Sequence, residues 1–195
     1  MTNLKLALLF LVSSITLANA QSIQLTPGNL QLGLGLGVVP TFAADQTQTL
    51  VPPVSARADV MVANNFALGV YAAYSSVEGQ QYNEPAAVMT QFQNNNLMLG
   101  MRATAMSNDM SGWRVYGGFM AGANLPDVSS ETTYLDDTPK DGRDSQYPTF
   151  FKPAETSMIF SGYVGAQRAI GKRFGAYAEA GLGISLFNLG LVYRL

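Results

Sequence analysis

The closing segment of the chain, residues 174–195, alternates strictly between two kinds of side chain. In the final strand the apolar positions are Leu189, Leu191, Tyr193 and Leu195, and the intervening ones are Asn188, Gly190, Val192 and Arg194. A β-strand has a period of two, so these two sets lie on opposite faces of one sheet. The stretch from Phe174 to Leu182 repeats the pattern. A hairpin with one apolar face and one small or polar face is typical of a membrane barrel, with lipid outside and a packed polar lumen inside.

The same alternation recurs along the chain and predicts eight strands in all. Besides the closing hairpin, the predicted strands cover about residues 30–38, 53–63, 66–76, 94–106, 112–122 and 158–169. Long connections alternate with short ones: loops at 39–52, 77–93 and 123–157, and turns at 63–65, 107–111 and 170–173. Outer-membrane barrels have long extracellular loops and tight periplasmic turns. We therefore predict an all-β fold, an eight-stranded antiparallel up-and-down transmembrane β-barrel.

A soluble, lipocalin-like barrel is the alternative with the same number of strands. Such a barrel would place its apolar residues inside and its polar residues outside. In this chain the clearly aliphatic strand faces oppose faces that carry Arg, Asp or Glu, Gln and Gly. The row of glycines opposite the leucines of residues 30–38 indicates crowding by large side chains across the lumen.

The first 20 residues have the pattern of a secretory signal peptide. Lys5 supplies a positive start, Leu6 to Val12 form an apolar core, and Ala18-Asn19-Ala20 places small residues where signal peptidase reads them. We predict cleavage after Ala20, export to the outer membrane, and one barrel domain over residues 21–195.

Composition excludes several functional classes. The chain contains no cysteine and no histidine, so disulfides, a lipidated cysteine, a Ser-His-Asp triad and most zinc or transition-metal sites are absent. Only 12% of the residues are charged although 48% are hydrophobic, which suits a surface that meets lipid. The net charge of −2 gives no indication of a nucleic-acid surface. We expect neither an enzyme nor a bound cofactor.

Six charged residues of the predicted strands point into the lumen. They are Arg57, Asp59, Arg102, Arg114, Glu179 and Arg194. Buried charges must be paired, so we expect a network that fills the lumen. The predicted helpers are Gln31, Gln167 and Asn188 and the hydroxyls of Tyr71, Tyr116 and Tyr177. The alternative is a narrow polar path that passes small solutes, with a preference for anions.

Four aromatic residues fall where a periplasmic girdle is expected. Phe66, Trp113 and Phe174 each begin a strand after a short turn, and Tyr193 stands near the end of the last strand. Aromatic girdles mark the interfaces of membrane barrels, although aromatic residues at strand ends also occur as ordinary packing residues. We predict that the four face lipid at the periplasmic interface.

The longest predicted loop, 123–157, is rich in acids and carries three exposed aromatic candidates. Four of its acids surround Gly142, namely Asp136, Asp137, Asp141 and Asp144. Their spacing does not match the EF-hand pattern, so a solvated acidic loop is favoured over a calcium site. The aromatic residues Tyr147, Phe150 and Phe151 suggest contact with an extracellular ligand. The predicted role is structural or surface interaction through the three loops.

The C-terminus also carries a resemblance. Leu191, Tyr193 and Leu195 resemble the terminal signature of Gram-negative outer-membrane barrels, and the closing hairpin is similar to those of small porin-like, OmpA- and OmpX-like barrel domains. The chain departs from the signature at Leu195, where the family usually has phenylalanine. The resemblance implies an outer-membrane barrel in contact with outer-membrane lipid. It further implies that these three residues serve as a signal for the barrel assembly machinery.

Overall fold

The computed structural model describes residues 25–41, 47–83, 88–134 and 155–195, so the predicted signal peptide lies outside the described residues. Within these ranges the chain forms eight strands. They are β1 (Leu30–Gly37), β2 (Thr47–Ala63), β3 (Phe66–Asn83), β4 (Val88–Met106), β5 (Trp113–Tyr134), β6 (Ser157–Ala169), β7 (Phe174–Gly181) and β8 (Phe187–Arg194). The described ranges contain no helix with the length and hydropathy needed to cross a bilayer.

The strands form a closed antiparallel barrel. Each strand pairs with the next along the chain, and β1 pairs with β8 from Gln31 opposite Arg194 to Gly37 opposite Asn188. Closure gives every barrel strand two hydrogen-bonded neighbours, which is the arrangement that a lipid environment requires. The predicted fold class, with its eight strands and their order, is confirmed.

The two ends of the barrel differ in the length of their connections. At the turn end, β2 and β3 are joined by Asn64 and Asn65, β4 and β5 by residues 107–112, and β6 and β7 by residues 170–173. The second of these turns uses left-handed backbone at Ser111 (φ 55°) and Gly112 (φ 83°). The opposite end, called the loop end, joins its strands by residues 38–46, 84–87, 135–156 and 182–186. The first and third of these connections are longer than any of the turns, as predicted, whereas the second is short because β3 and β4 extend into the predicted loop at 77–93.

The outer face of the barrel is apolar and the inner face is polar. Outward-pointing side chains in mid-strand are widely exposed, with Leu34 at 70%, Met101 at 71%, Phe119 at 76% and Phe160 at 76%. Their neighbours in sequence are buried in the lumen. The direction of alternation predicted for the strands is therefore correct.

Strands β2 to β5 are longer than predicted. They have 17, 18, 19 and 22 residues. In the predicted loop at 77–93, β3 continues as far as Asn83 and β4 begins at Val88. In the predicted loop at 123–157, β5 continues as far as Tyr134. The loop at 39–52 is likewise replaced by strand from Thr47. These segments lack the apolar alternation because both of their faces lie beyond the apolar band, and backbone pairing with a neighbouring strand is enough to keep them extended.

The added residues form a four-stranded sheet that projects from the loop end, here called the extension. On one side β1 pairs with β2 only as far as Val54, and on the other β6 pairs with β5 only as far as Asn124. Pro52 and Pro53 lie on β2 just beyond the last β1 pair, where the register with β3 shifts. Proline cannot donate a ladder hydrogen bond, so this unpaired side of β2 and its bulge suit both residues.

Candidate functional site

Four charged side chains form a closed ring across the lumen, here called the ion quartet. The Oε2 atom of Glu179 on β7 accepts hydrogen bonds from Nη1 of Arg57 on β2 at 3.0 Å and from Nη2 of Arg102 on β4 at 2.8 Å. The carboxylate of Asp59 lies 3.6 Å from the Nε atoms of both arginines. The quartet therefore alternates in sign, has no net charge, and joins opposite walls of the barrel.

Tyrosine rings surround the two arginines of the quartet. The guanidinium of Arg57 lies 4.1 Å from the ring centre of Tyr177 and 5.2 Å from that of Tyr116. The guanidinium of Arg102 lies 4.0 Å from the ring centre of Tyr163. Cations at these distances over aromatic faces gain cation–π attraction, most strongly where water is excluded. The rings thus both fill the lumen and stabilise its positive groups.

The hydroxyl of Tyr163 is a hydrogen-bond hub that sequence reasoning missed. It accepts a hydrogen bond from Nε of Arg102 at 3.2 Å, lies 2.6 Å from the hydroxyl of Thr104, and donates to the carbonyl of Ala103 at 3.2 Å. The alternation of Phe160, Gly162 and Val164 on β6 would have placed Tyr163 inside. The sequence signal was therefore present, but was not used.

Glycines on β1 make room for the quartet and its rings. A Cβ atom at Gly33 would lie 2.6 Å from Nε and 2.7 Å from Cγ of Arg57, and one at Gly35 would meet the hydroxyl of Tyr177. Both distances are shorter than real side-chain packing allows. The glycine row of β1 is therefore needed opposite large side chains, as the sequence indicated.

An apolar layer closes the lumen at the turn end. Leu25, which precedes β1, is buried against Met61, Ala67, Met106 and Tyr116. The segment is held there because the amide of Gly28 donates to the carbonyl of Met61 at 2.8 Å. The segment at Leu25 to Gly28 therefore folds back into the mouth of the barrel.

A second apolar layer closes the lumen at the loop end. The connection between β7 and β8 places Ile184, fully buried, in a cluster whose other members are Tyr71, Ala73, Met98 and Met120. Ser185 holds the connection in place, since its hydroxyl donates to the carbonyl of Val39 at 2.7 Å. The ion quartet thus lies between two apolar layers.

The remaining predicted lumen charges are buried but lie apart from the quartet. Arg114 on β5 is 3.8 Å from Asp109, a residue of the preceding turn that the sequence did not single out. Arg194 on β8 forms no ion pair within the described ranges, and its Nε and Nη1 atoms have no hydrogen-bond partner there. The six predicted residues therefore divide into a quartet, a pair with Asp109, and one separate arginine.

The predicted amide helpers do not join the quartet. Gln31 and Gln167 are almost fully buried, yet Nε2 of Gln31 and both amide atoms of Gln167 have no hydrogen-bond partner in the described part of the chain. Asn188 instead donates to the carbonyl of Ser185 at 3.3 Å. Within the described ranges these amides therefore do not bond to the quartet, because their positions along the strands lie above and below it.

Very little free space remains around the quartet. A cavity of about 10 Å³, bordered by Arg102, Glu179 and the loop-end layer, lies beside it. That volume corresponds to about one water molecule. The lumen is therefore packed by its own side chains, which is what an eight-stranded barrel allows.

A much larger cleft lies on the extension. Its volume is about 810 Å³, and its lining is formed by Gln48, Glu78, Gly79, Gln80, Gln91, Phe92, Gln93, Ser129 and Ser130. Below it, the side chain of Asn95 accepts hydrogen bonds from Ser76 at 2.7 Å and Tyr74 at 3.3 Å. The cleft thus continues into an amide and hydroxyl surface on the outer face of the extension. Sequence reasoning missed it because these residues were assigned to loops.

The predicted girdle residues lie on the outer face at the turn end. Phe66, Trp113 and Phe174 are exposed, and Tyr193 is half-buried. The rings of Phe174 and Tyr193 are 4.9 Å apart. All four thus occupy the rim where the apolar outer face meets the short turns.

The acidic and aromatic candidates of the longest loop lie outside the described residues, from Asp136 to Phe151. In the described ranges, no group of three or more acidic side chains is placed to hold a metal ion. The closing residues Leu191 and Leu195 are exposed on the outer face of the barrel, on either side of Tyr193.

The closed ladder, the apolar outer face and the packed polar lumen define a transmembrane β-barrel of the small, eight-stranded class. This is the architecture of the small outer-membrane barrel proteins. No protein-family model and no curated protein matches the chain.

Solved structures do match the chain. The outer membrane protein OprG from Pseudomonas aeruginosa has a TM-score of 0.56 at 9% identity, over 90% of this chain and 99% of that one. Neisserial surface protein A has a TM-score of 0.47 at 12% identity, over 86% and 95%. The attachment invasion locus protein Ail of Yersinia pestis, solved with the heparin analogue sucrose octasulfate, has 0.41 at 12%, over 87% and 100%. At these identities the likeness to OprG concerns the fold alone.

Proposed function

We propose that the protein is an outer-membrane barrel with a closed lumen, which acts through surface contacts made by its loop end. One contrast carries this proposal. The lumen retains a cavity of about 10 Å³ beside the quartet, whereas the cleft on the extension measures about 810 Å³. Of these two spaces, the one that can accommodate a polar partner therefore lies on the extension, outside the lumen.

The packing of the lumen supports the closed state. A solute crossing it would displace Leu25 and Ile184 and would separate Glu179 from its two arginines. Breaking a buried ion pair leaves an uncompensated charge, at a cost of about 3–5 kcal/mol. Two such contacts meet at one carboxylate, so the quartet holds the lumen shut.

The cleft has the chemistry of a site for uncharged, hydroxyl-rich molecules. Amide groups of Gln48, Gln80 and Gln91 each offer both donors and an acceptor, beside the hydroxyls of Ser129 and Ser130. No lysine or arginine occurs in residues 47–53, 76–83, 88–97 or 124–134. An anionic ligand would find no cation there, so we propose that the surface partner is a neutral oligosaccharide.

Binding to immobilised neutral oligosaccharides tests this role, with the folded protein in detergent micelles. Gln80→Ala combined with Gln91→Ala removes two amides that line the cleft and is expected to lower binding at least ten-fold. Asn64→Ala removes an exposed amide at the turn end and serves as the matched control. Absence of binding by the unaltered protein, or equal binding by both variants, would overturn the proposed role.

A narrow channel is the second candidate. It is favoured by the water-sized cavity beside Glu179 and by the buried arginine Arg194 nearer the turn end, which forms no ion pair within the described ranges. Passage would still require Leu25 and Ile184 to leave the lumen. We rank this function below the surface role for that reason.

Biogenesis forms a further part of the proposal. Export is proposed to use residues 1–20 as a cleaved signal peptide, and assembly to use Leu191, Tyr193 and Leu195. In support, β8 closes the barrel against β1. Leu191 and Leu195 point outward, where the barrel assembly machinery could bind them before the barrel closes. N-terminal sequencing of the mature protein tests cleavage after Ala20, and a protein that begins elsewhere would contradict it.

A further inference from the structure

The cations of the described chain that lie outside the lumen are gathered at one place. Arg168 ends the outer face of β6, and Lys172 and Arg173 form the turn that follows. The other two connections of the turn end, Asn64–Asn65 and residues 107–112, carry no cation. The positive charge of this rim is therefore confined to the β6–β7 side of the barrel.

Two of these cations contact aromatic residues of the predicted girdle. The guanidinium of Arg168 lies 5.2 Å from the ring centre of Trp113. Nη1 of Arg173 donates to the hydroxyl of Tyr193 at 3.2 Å, and that ring packs on Phe174. The cations are thus held at the level where the apolar outer face ends, which is the headgroup level of a bilayer.

These cations have no acidic partner among the residues that the structure describes. None of the three forms an ion pair within the described ranges, and the Nε atom of Arg168 is buried without a hydrogen-bond partner there. The acid of the neighbouring turn, Asp109, is directed to Arg114 in the lumen. The described residues therefore supply no counter-charge to these cations, which leaves them available to an anionic group from outside the chain.

We infer that Arg168, Lys172 and Arg173 bind the headgroup of an anionic phospholipid on the turn-end side of the membrane. A phosphate group accepts hydrogen bonds from arginine and lysine, and the acyl chains of the same lipid run along the apolar outer face beside Trp113 and Phe174. A soluble anion would use the first of these features but not the second. The juxtaposition of three cations with an apolar wall thus favours a lipid over a free ion.

The single tryptophan of the chain stands at the site and serves as the probe. The full-length protein is reconstituted in phosphatidylcholine that contains an equal fraction of either brominated phosphatidylglycerol or brominated phosphatidylcholine. Bromine quenches tryptophan only at short range, so Trp113 fluorescence reports which lipid occupies the rim. We expect several-fold tighter apparent binding of the brominated phosphatidylglycerol.

Two variants separate charge from contact with the probe. Lys172→Gln with Arg173→Gln leaves the Arg168–Trp113 contact intact and is expected to remove most of the several-fold preference. Adding Arg168→Gln should abolish the preference. Lys140→Gln with Arg143→Gln, in the segment that joins β5 to β6 at the loop end, makes the same charge change as the double variant and should leave the preference unaltered.

The outcomes distinguish this inference from the membrane placement on which it rests. Equal quenching by both lipids would overturn the lipid site while leaving the barrel in the bilayer. Quenching by neither lipid would overturn the membrane placement itself. Loss of the preference in inorganic phosphate, but not in sodium chloride of the same ionic strength, would identify a free-phosphate site and overturn the lipid assignment.

Discussion

Glu179 on β7 and Arg102 on β4 meet across the lumen at 2.8 Å, although 77 positions separate them in the sequence. The contact exists only because the barrel closes. Arg57 approaches the same carboxylate oxygen at 3.0 Å, so a single acid on β7 holds two strands of the opposite wall. The ion quartet therefore both fills the lumen and links its opposite walls.

Glu179→Gln is expected to destabilise the barrel strongly. The substitution keeps the shape of the side chain but leaves Arg57 and Arg102 with Asp59 as their one remaining acid in the quartet. An uncompensated buried charge of this kind costs about 3–5 kcal/mol. Denaturant unfolding in lipid vesicles, followed by gel mobility and Trp113 fluorescence, measures the loss. The matched control is Glu78→Gln on the exposed surface of the extension. Equal stability of the two variants would contradict the claim that the ion quartet stabilises the barrel.

Removal of both partners should cost less than the sum of the single removals. Combining Arg102→Gln with Glu179→Gln keeps the quartet neutral, because Arg57 and Asp59 still pair. Residues in one buried network couple by about 0.5–3 kcal/mol, and we expect the double variant to recover an amount within this range. A double-mutant cycle by the same unfolding assay provides the value. Strict additivity would show that the two side chains do not act as a pair.

Gly33→Ala should destabilise the barrel although alanine is normally preferred to glycine within a strand. The usual gain is about 0.5–1 kcal/mol, whereas overpacking costs about 1–3 kcal/mol. The new methyl group would lie 2.6 Å from Arg57, which the quartet prevents from moving away. The midpoint of denaturant unfolding reports the difference. Gly171→Ala, where nothing lies within 4 Å, is the control, and equal midpoints would contradict the account of the glycine row.

Phe119→Arg tests whether the outer face meets lipid. Phe119 stands six residues beyond Trp113 on β5, a height of about 15 Å for a tilted strand, which places it near the middle of a bilayer. Arginine at the midplane costs about 2–4 kcal/mol, whereas an exposed surface substitution in water changes stability by less than about 0.5 kcal/mol. Ser129→Arg, on the same strand but in the extension, is the comparison. If both variants fold equally well in vesicles, the outer face does not lie in lipid.

Alternation made the strand faces predictable from the sequence. The period of two places Arg57, Asp59, Arg102 and Glu179 inside without reference to any partner, since each has apolar neighbours on both sides. Their pairing was not predictable, because it depends on the shear and tilt with which the barrel closes. Asp109 was missed for the same reason, as a turn residue has no face assigned by alternation.

Polarity was a misleading guide at the loop end. Residues such as Gln91 and Gln93 resemble a loop when the apolar alternation is the signal, and so the extension and its cleft were not predicted. Beyond the apolar band a strand needs only a paired neighbour, and β3 and β4 supply one another with partners as far as Asn83 and Val88. Leu25 was missed because its burial requires the chain before β1 to fold back into the lumen.

The closed lumen is the central claim, and planar-bilayer conductance tests it most directly. Insertion is established first by a heat-modifiable band on gels and by quenching of Trp113 with brominated lipid. With the ion quartet held between Leu25 and Ile184, we predict that the inserted protein gives no stepwise conductance in concentrated salt. Uniform conductance steps from the unaltered protein, reduced by Arg102→Gln, would show that the lumen conducts and would contradict this account.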